Sequence, residues 1–226
     1  MSSGMSTAEL RIAGSSYRAT NMEVALRVND ISTLRASAIL RPATEVKLGD
    51  EVEAYINGTL VFKGKVIRVR KSVEGPRAYI TIEAVDFTEL LRHPAVPKRY
   101  EGLVHEVILA LVKPLTNAGE LTTNNVETSA EHASIDLSNR PEITILDALK
   151  EFCGREDVNY VFFVDENKDL YAFRRGSRKS DQVLDILRYD VEEDITFVIN
   201  DCTVLGAQEK YVPVEGDLCE LSLIHI

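Results

Sequence analysis

The chain has 226 residues, 45% of them hydrophobic, and a formal net charge of −10. That length holds one large domain or two ordinary ones, and no apolar run approaches the roughly 18 to 20 residues of a membrane helix. The charge is regional: residues 1–92 carry 13 Lys and Arg against 11 Asp and Glu, and the rest carry 13 against 25, which disfavours specific duplex binding because an acidic surface repels phosphate.

The start, MSSGMSTAEL, lacks a basic leader and an apolar signal core, so synthesis in the cytoplasm is expected. Up to residue 92 apolar and polar positions alternate over short runs between turn residues, the pattern of half-buried strands. The runs are ELRIAG, EVALRV, ASAIL, DEVEAYI, TLVFKGKVIRV and AYITIEAV. Six short strands in fewer than a hundred residues predict a small antiparallel barrel or sandwich.

The segment GDEVEAYINGTLVFKG (Gly49 to Gly64) predicts a hairpin whose register depends on loop length. A two-residue loop at Asn57-Gly58 would set Ala54 across from Val61 and put Leu60 and Phe62 on the face of Glu53. A three-residue loop, Ile56-Asn57-Gly58, pairs Ala54 with Leu60 and Val52 with Phe62, and is the register expected. Gly64 is then expected to mark a bulge or sharp bend, beyond which the apolar phase shifts from Val66 to Ile67 and Val69.

Asp86 precedes a short helix, DFTELLR, with Glu89 as the capping-box partner and His93-Pro94 as the stop. In LVHEVILALVKPL the residues Val104, Val107, Ile108, Leu111 and Val112 recur at helical spacing. From Thr116 to Asn139 the chain turns polar, predicting loops with at most one short strand. A second helix is expected from the N-cap Thr144, with Asp147 three residues on, through Leu149 and Phe152 to Gly154. The strands NYVFFVD and DLYAFRR follow, joined through Glu166, Asn167 and Lys168. From Val191 a strand signal returns in DITFVINDCTVLGAQEKYV. The final LSLIHI can be encoded by the adapter end used in transposon-based DNA library preparation; it is expected to be translated read-through, and His225 is left out of functional reasoning.

The expected class is α+β, mainly β. Residues 1–92 form an N-terminal antiparallel β-barrel domain and 93–185 a middle α+β domain. Residues 186–220 are the truncated start of a second β-barrel, and 221–226 a non-native tail.

No residue pattern points to chemistry. G-x-S-x-G, S-x-x-K, G-x-x-x-x-G-K-[ST] and G-x-G-x-x-G are all missing. Cys153, Cys202 and Cys219 are odd in number and widely spaced, as buried free thiols are, and His93, His105, His132 and His225 include no H-E-x-x-H. Asp50 and Glu51 are strand neighbours pointing to opposite faces, so they form no local dyad. Glu192-Glu193-Asp194 reads as a solvated turn rather than a calcium loop. The basic runs KGKVIRVRK (Lys63 to Lys71) and RRGSRK (Arg174 to Lys179) read as solvated faces. The aromatics Tyr160, Phe162, Phe163, Tyr171 and Phe173 read as core; as a base-stacking platform they would depend on Arg174, Arg175, Arg178 and Lys179. No catalytic, cofactor-binding or metal-binding residue is assigned, and no cofactor is expected.

The order of elements carries more than any motif. GDEVEAYINGTLVFKGKV, then ITIEAVDFTELLRHPAVPKRYEG, an amphipathic helix, and TILDALKEFCGREDVNYVFFVDENKDLYAF resemble the baseplate hub family of bacteriophage tails, of the late control protein-like kind, over about residues 8 to 205. The matching features are the G-D-x-V strand, the bend at Gly64-Lys65-Val66, the Asp86 to Leu91 helix with its Tyr100-Glu101-Gly102 linker, and the helix leading to an aromatic strand ending in Val164-Asp165. The resemblance implies two barrel-like domains flanking an α+β domain, and a homotrimer of the full-length protein whose six barrels form a pseudo-sixfold ring. It also implies a location in the virion tail, with the tail tube protein and the spike or fibre proteins as partners. The hairpin would then serve assembly, and an acidic lumen would let DNA slide past. Two other readings remain open: the scaffold of a peptidoglycan hydrolase encoded downstream, and a barrel module that binds nucleic acid or glycan.

Overall fold

The computed structural model describes residues 8–39, 46–74 and 77–177, together with the short strands Arg188–Val191, Cys202–Leu205 and Ile224–His225. Those three strands pair with one another in one sheet; the rest of the segment expected to open a second barrel lies outside the described residues. The chain divides into two units: residues 1–27, 32–85 and 181–226, and residues 28–31 and 86–180.

Besides those three short strands, residues 8–86 supply β1 (Ala8–Ile12), β2 (Ser15–Ala25), β3 (Thr33–Ile39), β4 (Glu51–Ile56), β5 (Thr59–Glu74) and β6 (Arg77–Asp86). They close into a barrel in the order β1-β2-β3-β6-β5-β4. Alternation decides what lies inside. Leu34, Ala36 and Ala38 of β3, Val52 and Ala54 of β4, and Ile80, Ile82 and Ala84 of β6 are buried with Leu10, Ile12, Tyr17 and Phe62. Four alanines among larger residues suit the narrow interior of a six-stranded barrel. The two-residue turn Ala13-Gly14 between β1 and β2 has both residues at positive φ, as the right-handed twist of the flanking strands requires.

The β4–β5 hairpin corrects the expected register. Its loop is the two-residue Asn57-Gly58, with φ of 50° and 83°, and Ile56 pairs with Thr59 and Tyr55 with Leu60. Beyond that the ladder slips, so Ala54 pairs with Phe62 and Val61 is the extra residue of a bulge. The bulge gives the two-residue turn and the apolar pairing together, whereas the expected register changed the turn to save the pairing. Gly64 sits in regular pairing with Val52, so no bulge falls there. Phe62, Gly64 and Val66 keep one inward phase; Val69 packs on the core, but Ile67 is 52% exposed. A second bulge in β2, where Ala19 pairs with Ala38 and Asn21 with Ser37, leaves Thr20 extra. Bulges of this kind let antiparallel strands curl closed.

The second unit carries the helices α1 (Val104–Asn117) and α2 (Ile145–Cys153) and the strands β7 (Arg99–Leu103), β8 (Thr122–Val126), β9 (His132–Asp136), β10 (Tyr160–Val164) and β11 (Asp169–Arg174). α1 buries Val104, Val107, Ile108, Leu111 and Val112, the stripe read from spacing. α2 is capped by Thr144, whose Oγ1 accepts from the Asp147 amide at 3.1 Å. It stops at Gly154, where a Cβ would lie 2.8 Å from the Lys150 carbonyl oxygen. The DFTELLR segment is a single 3₁₀ stretch, Phe87–Arg92; Asp86 caps it by accepting from the Thr88 amide, and Glu89 pairs with Arg92 instead of completing a capping box.

Between Thr116 and Asn139 there are two strands, not one at most: β9 runs antiparallel to β7, and β8 runs parallel to β11 in the sheet β10-β11-β8. The free side of β10 is closed without another strand. Asn29, in the left-handed conformation, donates its amide to the Phe162 carbonyl at 2.8 Å and accepts from the Phe162 amide through Oδ1 at 2.7 Å. The Val164 amide donates to Thr88 Oγ1 at 3.2 Å. Two side chains and one short segment thus cover an edge that would otherwise present unpaired backbone groups.

Candidate interaction surfaces

The described residues contain no group of three His, Cys, Asp or Glu side chains placed to hold a metal ion, and no helix long and apolar enough to cross a membrane. The polar residues weighed in the sequence take structural posts. Asp50 accepts from the Lys47 amide at 2.8 Å and closes the turn into β4, while Glu51 lies opposite Lys65. His105 Nδ1 accepts from the Ser129 amide at 3.1 Å, and His93 lies 3.7 Å from Glu120. Cys153 is buried, and burial pushes its thiol up to about 12, so it is not a nucleophile at neutral pH. Glu192 to Asp194, Arg178, Lys179 and Cys219 lie outside the described residues, and no side-chain account applies to Cys202 or His225.

The aromatics divide by face. Tyr160 and Phe162 are buried, whereas Phe163, Tyr171 and Phe173 are half-buried; Phe163 and Tyr171 stack at 5.0 Å and Phe173 meets Phe163 edge-on at 6.3 Å. The rings thus pack on one another, and Arg174 is turned to Glu131 at 3.1 Å. Of the four basic residues such a base-stacking platform would depend on, Arg174 is thus committed elsewhere.

One buried carboxylate escaped the sequence reading. Asp169, 6% exposed, accepts from Thr122 Oγ1 at 2.7 Å, the Asn124 amide at 2.9 Å and Asn125 Nδ2 at 2.6 Å. Burial alone would raise its pKa; the bonds from Thr122, Asn125 and Asn124 outweigh that and hold the carboxyl below its ordinary value. Its partners all belong to β8, so this charge fastens the one parallel strand of its sheet.

The outer wall of the barrel carries a charged row. Register places Glu23 of β2 opposite Arg35 of β3, and Arg35 opposite Glu83 of β6. Arg68 of β5 reaches Glu83 at 2.9 Å. The result is a row of alternating sign across four strands, the cross-strand pairing that favours a sheet. Below the row Ser37 and Thr81 share a hydrogen bond at 2.9 Å. Two shallow clefts flank it. One, about 270 Å³, is walled by Glu23, Thr33, Arg35, Ile67 and Glu83; the other, about 280 Å³, by Arg35, Arg68, Arg70, Thr81 and Glu83. Neither gathers an acid, a base and a nucleophile; both are open notches on a sheet face.

No family model and no curated protein matches the chain by sequence. Solved structures do match by fold. The 43 kDa tail protein of prophage MuSo2 from Shewanella oneidensis superposes with a TM-score of 0.63 at 14% identity, over 82% of this chain and 62% of that one. A tail protein from Neisseria meningitidis gives 0.60 at 17% identity, over 84% and 60%. The fold is that of phage tail proteins. The prophage tail protein gp18 from Listeria monocytogenes adds 0.53 at 11% identity, over 83% of this chain and 56% of its own. The chain therefore spans about three-fifths of the length of these proteins. This tail-protein fold is the mainly β, α+β class expected from the strand and helix order.

Proposed function

We propose that the chain is a structural component of a phage or phage-like tail, in the tail tip or baseplate hub, where it assembles with itself and joins the tail tube to the spike or fibre complex. The observation that carries this reading is the shared fold: a closed barrel and an α+β unit matched over 82% to 84% of the chain by two tail proteins. The surface chemistry is compatible. The two notches on the barrel wall are charged, and neither brings an acid, a base and a nucleophile together, which suits a part that works by contact and not by turnover. In this reading the part is not an enzyme, needs no cofactor, acts in the virion tail, and reaches a trimer when full length.

The test is multi-angle light scattering and electron microscopy of the full-length protein, alone and with its tail tube protein. A trimer or ring that caps the tube supports the proposal; a monomer with no affinity for tube protein refutes it.

A further inference from the structure

We infer that Asn57, in the turn between β4 and β5, is a site of spontaneous covalent modification: the Gly58 backbone nitrogen attacks its carboxamide and converts the turn to a mixture of aspartyl and isoaspartyl forms. The inference goes beyond the assembly role proposed above and does not depend on it.

Asn57 is the one asparagine of the chain followed by glycine. Glycine has no Cβ, so its nitrogen meets the least hindrance in closing on the neighbouring Cγ, and its backbone can adopt the angles that ring closure needs. Every other asparagine precedes a residue with a side chain, and three have their carboxamides tied. Asn29 Oδ1 accepts from the Phe162 amide at 2.7 Å, Asn125 Nδ2 donates to Asp169 at 2.6 Å and Asn167 Nδ2 donates to Asp165 at 3.4 Å. Asn57 and Gly58 are both exposed, so base and water reach them, and the Gly58 amide donates to no acceptor among the described residues. Its proton is therefore lost without a bond being given up first.

The step balances without an oxidant or reductant. A solvent base takes the Gly58 amide proton, the nitrogen adds to Asn57 Cγ, and the carboxamide nitrogen leaves as ammonia, which forms a cyclic imide. Water then opens the imide at either carbonyl. One opening restores the main chain and leaves an aspartate; the other routes the main chain through the side-chain carbon. The net change is a water consumed and an ammonia released.

The fold sets the pace and the consequence. Asn57 and Gly58 are held at φ of 50° and 83°, and Ile56 pairs with Thr59 across them. Ring closure needs the peptide between the two residues to rotate out of that pose, so the reaction passes through local opening of the turn. Asn57 to Leu60 are all exposed, and such segments open at the low end of the stability range. The two products then differ. Asp-Gly suits the same tight turn as Asn-Gly, so the aspartyl form keeps the hairpin. The isoaspartyl form adds a methylene to the main chain of a two-residue turn, and the Ile56–Thr59 and Tyr55–Leu60 pairs ahead of the Val61 bulge lose their register.

The experiment is a time course of the whole chain in mildly alkaline buffer, read by peptide mass spectrometry with electron-transfer fragmentation to separate the two products. Asn57 should convert at least about tenfold faster than any other asparagine and give both products, because only its neighbour lacks a Cβ. Wild type in urea should convert faster than native wild type, since opening is no longer required. Gly58→Ala, compared in urea so that a loosened turn does not enter, should convert about tenfold more slowly than wild type. Aged protein rich in the isoaspartyl form should melt below fresh protein, whereas Asn57→Asp should melt with it. Asn57 intact after other asparagines have reacted, Gly58→Ala converting as fast as wild type in urea, native protein converting as fast as denatured, a purely aspartyl product, or isoaspartyl-rich protein melting like fresh protein overturns the inference and leaves the proposed function standing.

Discussion

Removing the Asp169 carboxylate tests whether a single buried charge holds β8 in place. Asp169→Ala deletes the acceptor of three bonds, from Thr122 Oγ1, the Asn124 amide and Asn125 Nδ2, and leaves those donors without it. Hydrogen bonds to a charged group are worth about 1.5 to 3 kcal/mol each, but part of that offsets the desolvation of the buried carboxylate. The expected net loss is about 3 kcal/mol, close to a 150-fold rise in the local opening equilibrium. Amide hydrogen exchange read by mass spectrometry over Thr122–Val126 should show that loss directly, and urea unfolding should show it in the midpoint. Asp169→Asn keeps the shape but turns one NH₂ group toward groups that already donate, so it should lose most of the same stability. The pH dependence follows from the direction of the shift. The folded pKa lies below the unfolded one near 4, so the contribution is complete above that value and is lost as pH falls through the folded pKa. The gap between wild type and Asp169→Ala should therefore narrow below about pH 4. Unchanged exchange in β8, or a loss under about 0.5 kcal/mol, would refute the reasoning.

Four further outcomes are expected. Gly154→Ala should destabilise the second unit by about 1 to 3 kcal/mol in a thermal melt, because the new Cβ meets the Lys150 carbonyl oxygen at 2.8 Å although φ at that position suits any residue. Gly58→Ala has no such clash but must hold φ near 83°, so it should cost about 1 kcal/mol of barrel stability in chemical denaturation. Tyr17→Phe should leave the barrel equally stable or about 1 kcal/mol more so, since Tyr17 Oη is buried without a hydrogen-bond partner among the described residues. Cys153 should resist a thiol reagent in the native state and react on unfolding; its buried neutral thiol should also make stability fall as pH rises from about 9 toward 12.

Where periodicity was strong, the sequence foretold the structure. The number of barrel strands and the stripes of α1 and α2 follow from alternation or 3.6-residue spacing, because a face that packs on a core leaves that imprint, although β2 (Ser15–Ala25) overlaps the expected EVALRV run only at Glu23–Ala25. The register of the β4–β5 hairpin did not follow, since a bulge at Val61 changes pairing without changing composition. β8, Thr122–Val126, is polar but for Val126: its place is set by bonds to Asp169 and by pairing with β11 from a distance in sequence, and neither leaves a local pattern. Nothing in the sequence around Asn29 announces that its amide and side chain will serve Phe162. The charged row on the barrel wall was equally hidden. Its members are scattered over β2, β3, β5 and β6, and only the register aligns them.

The four residues Val28–Ile31 belong to the second unit although the barrel strands β2 and β3 flank them. Lys150 Nζ holds Asp30 Oδ1 at 2.8 Å, and Asn29 completes the margin of β10. No single scissile bond can therefore separate the two units intact. A protease cutting near residue 86 would release a piece lacking its Asn29 clip and strip Phe162 of both bonds that Asn29 makes to it. Dissecting this protein calls for grafting the VNDI tetrapeptide onto the excised half, a demand that a linear map of the gene would never suggest.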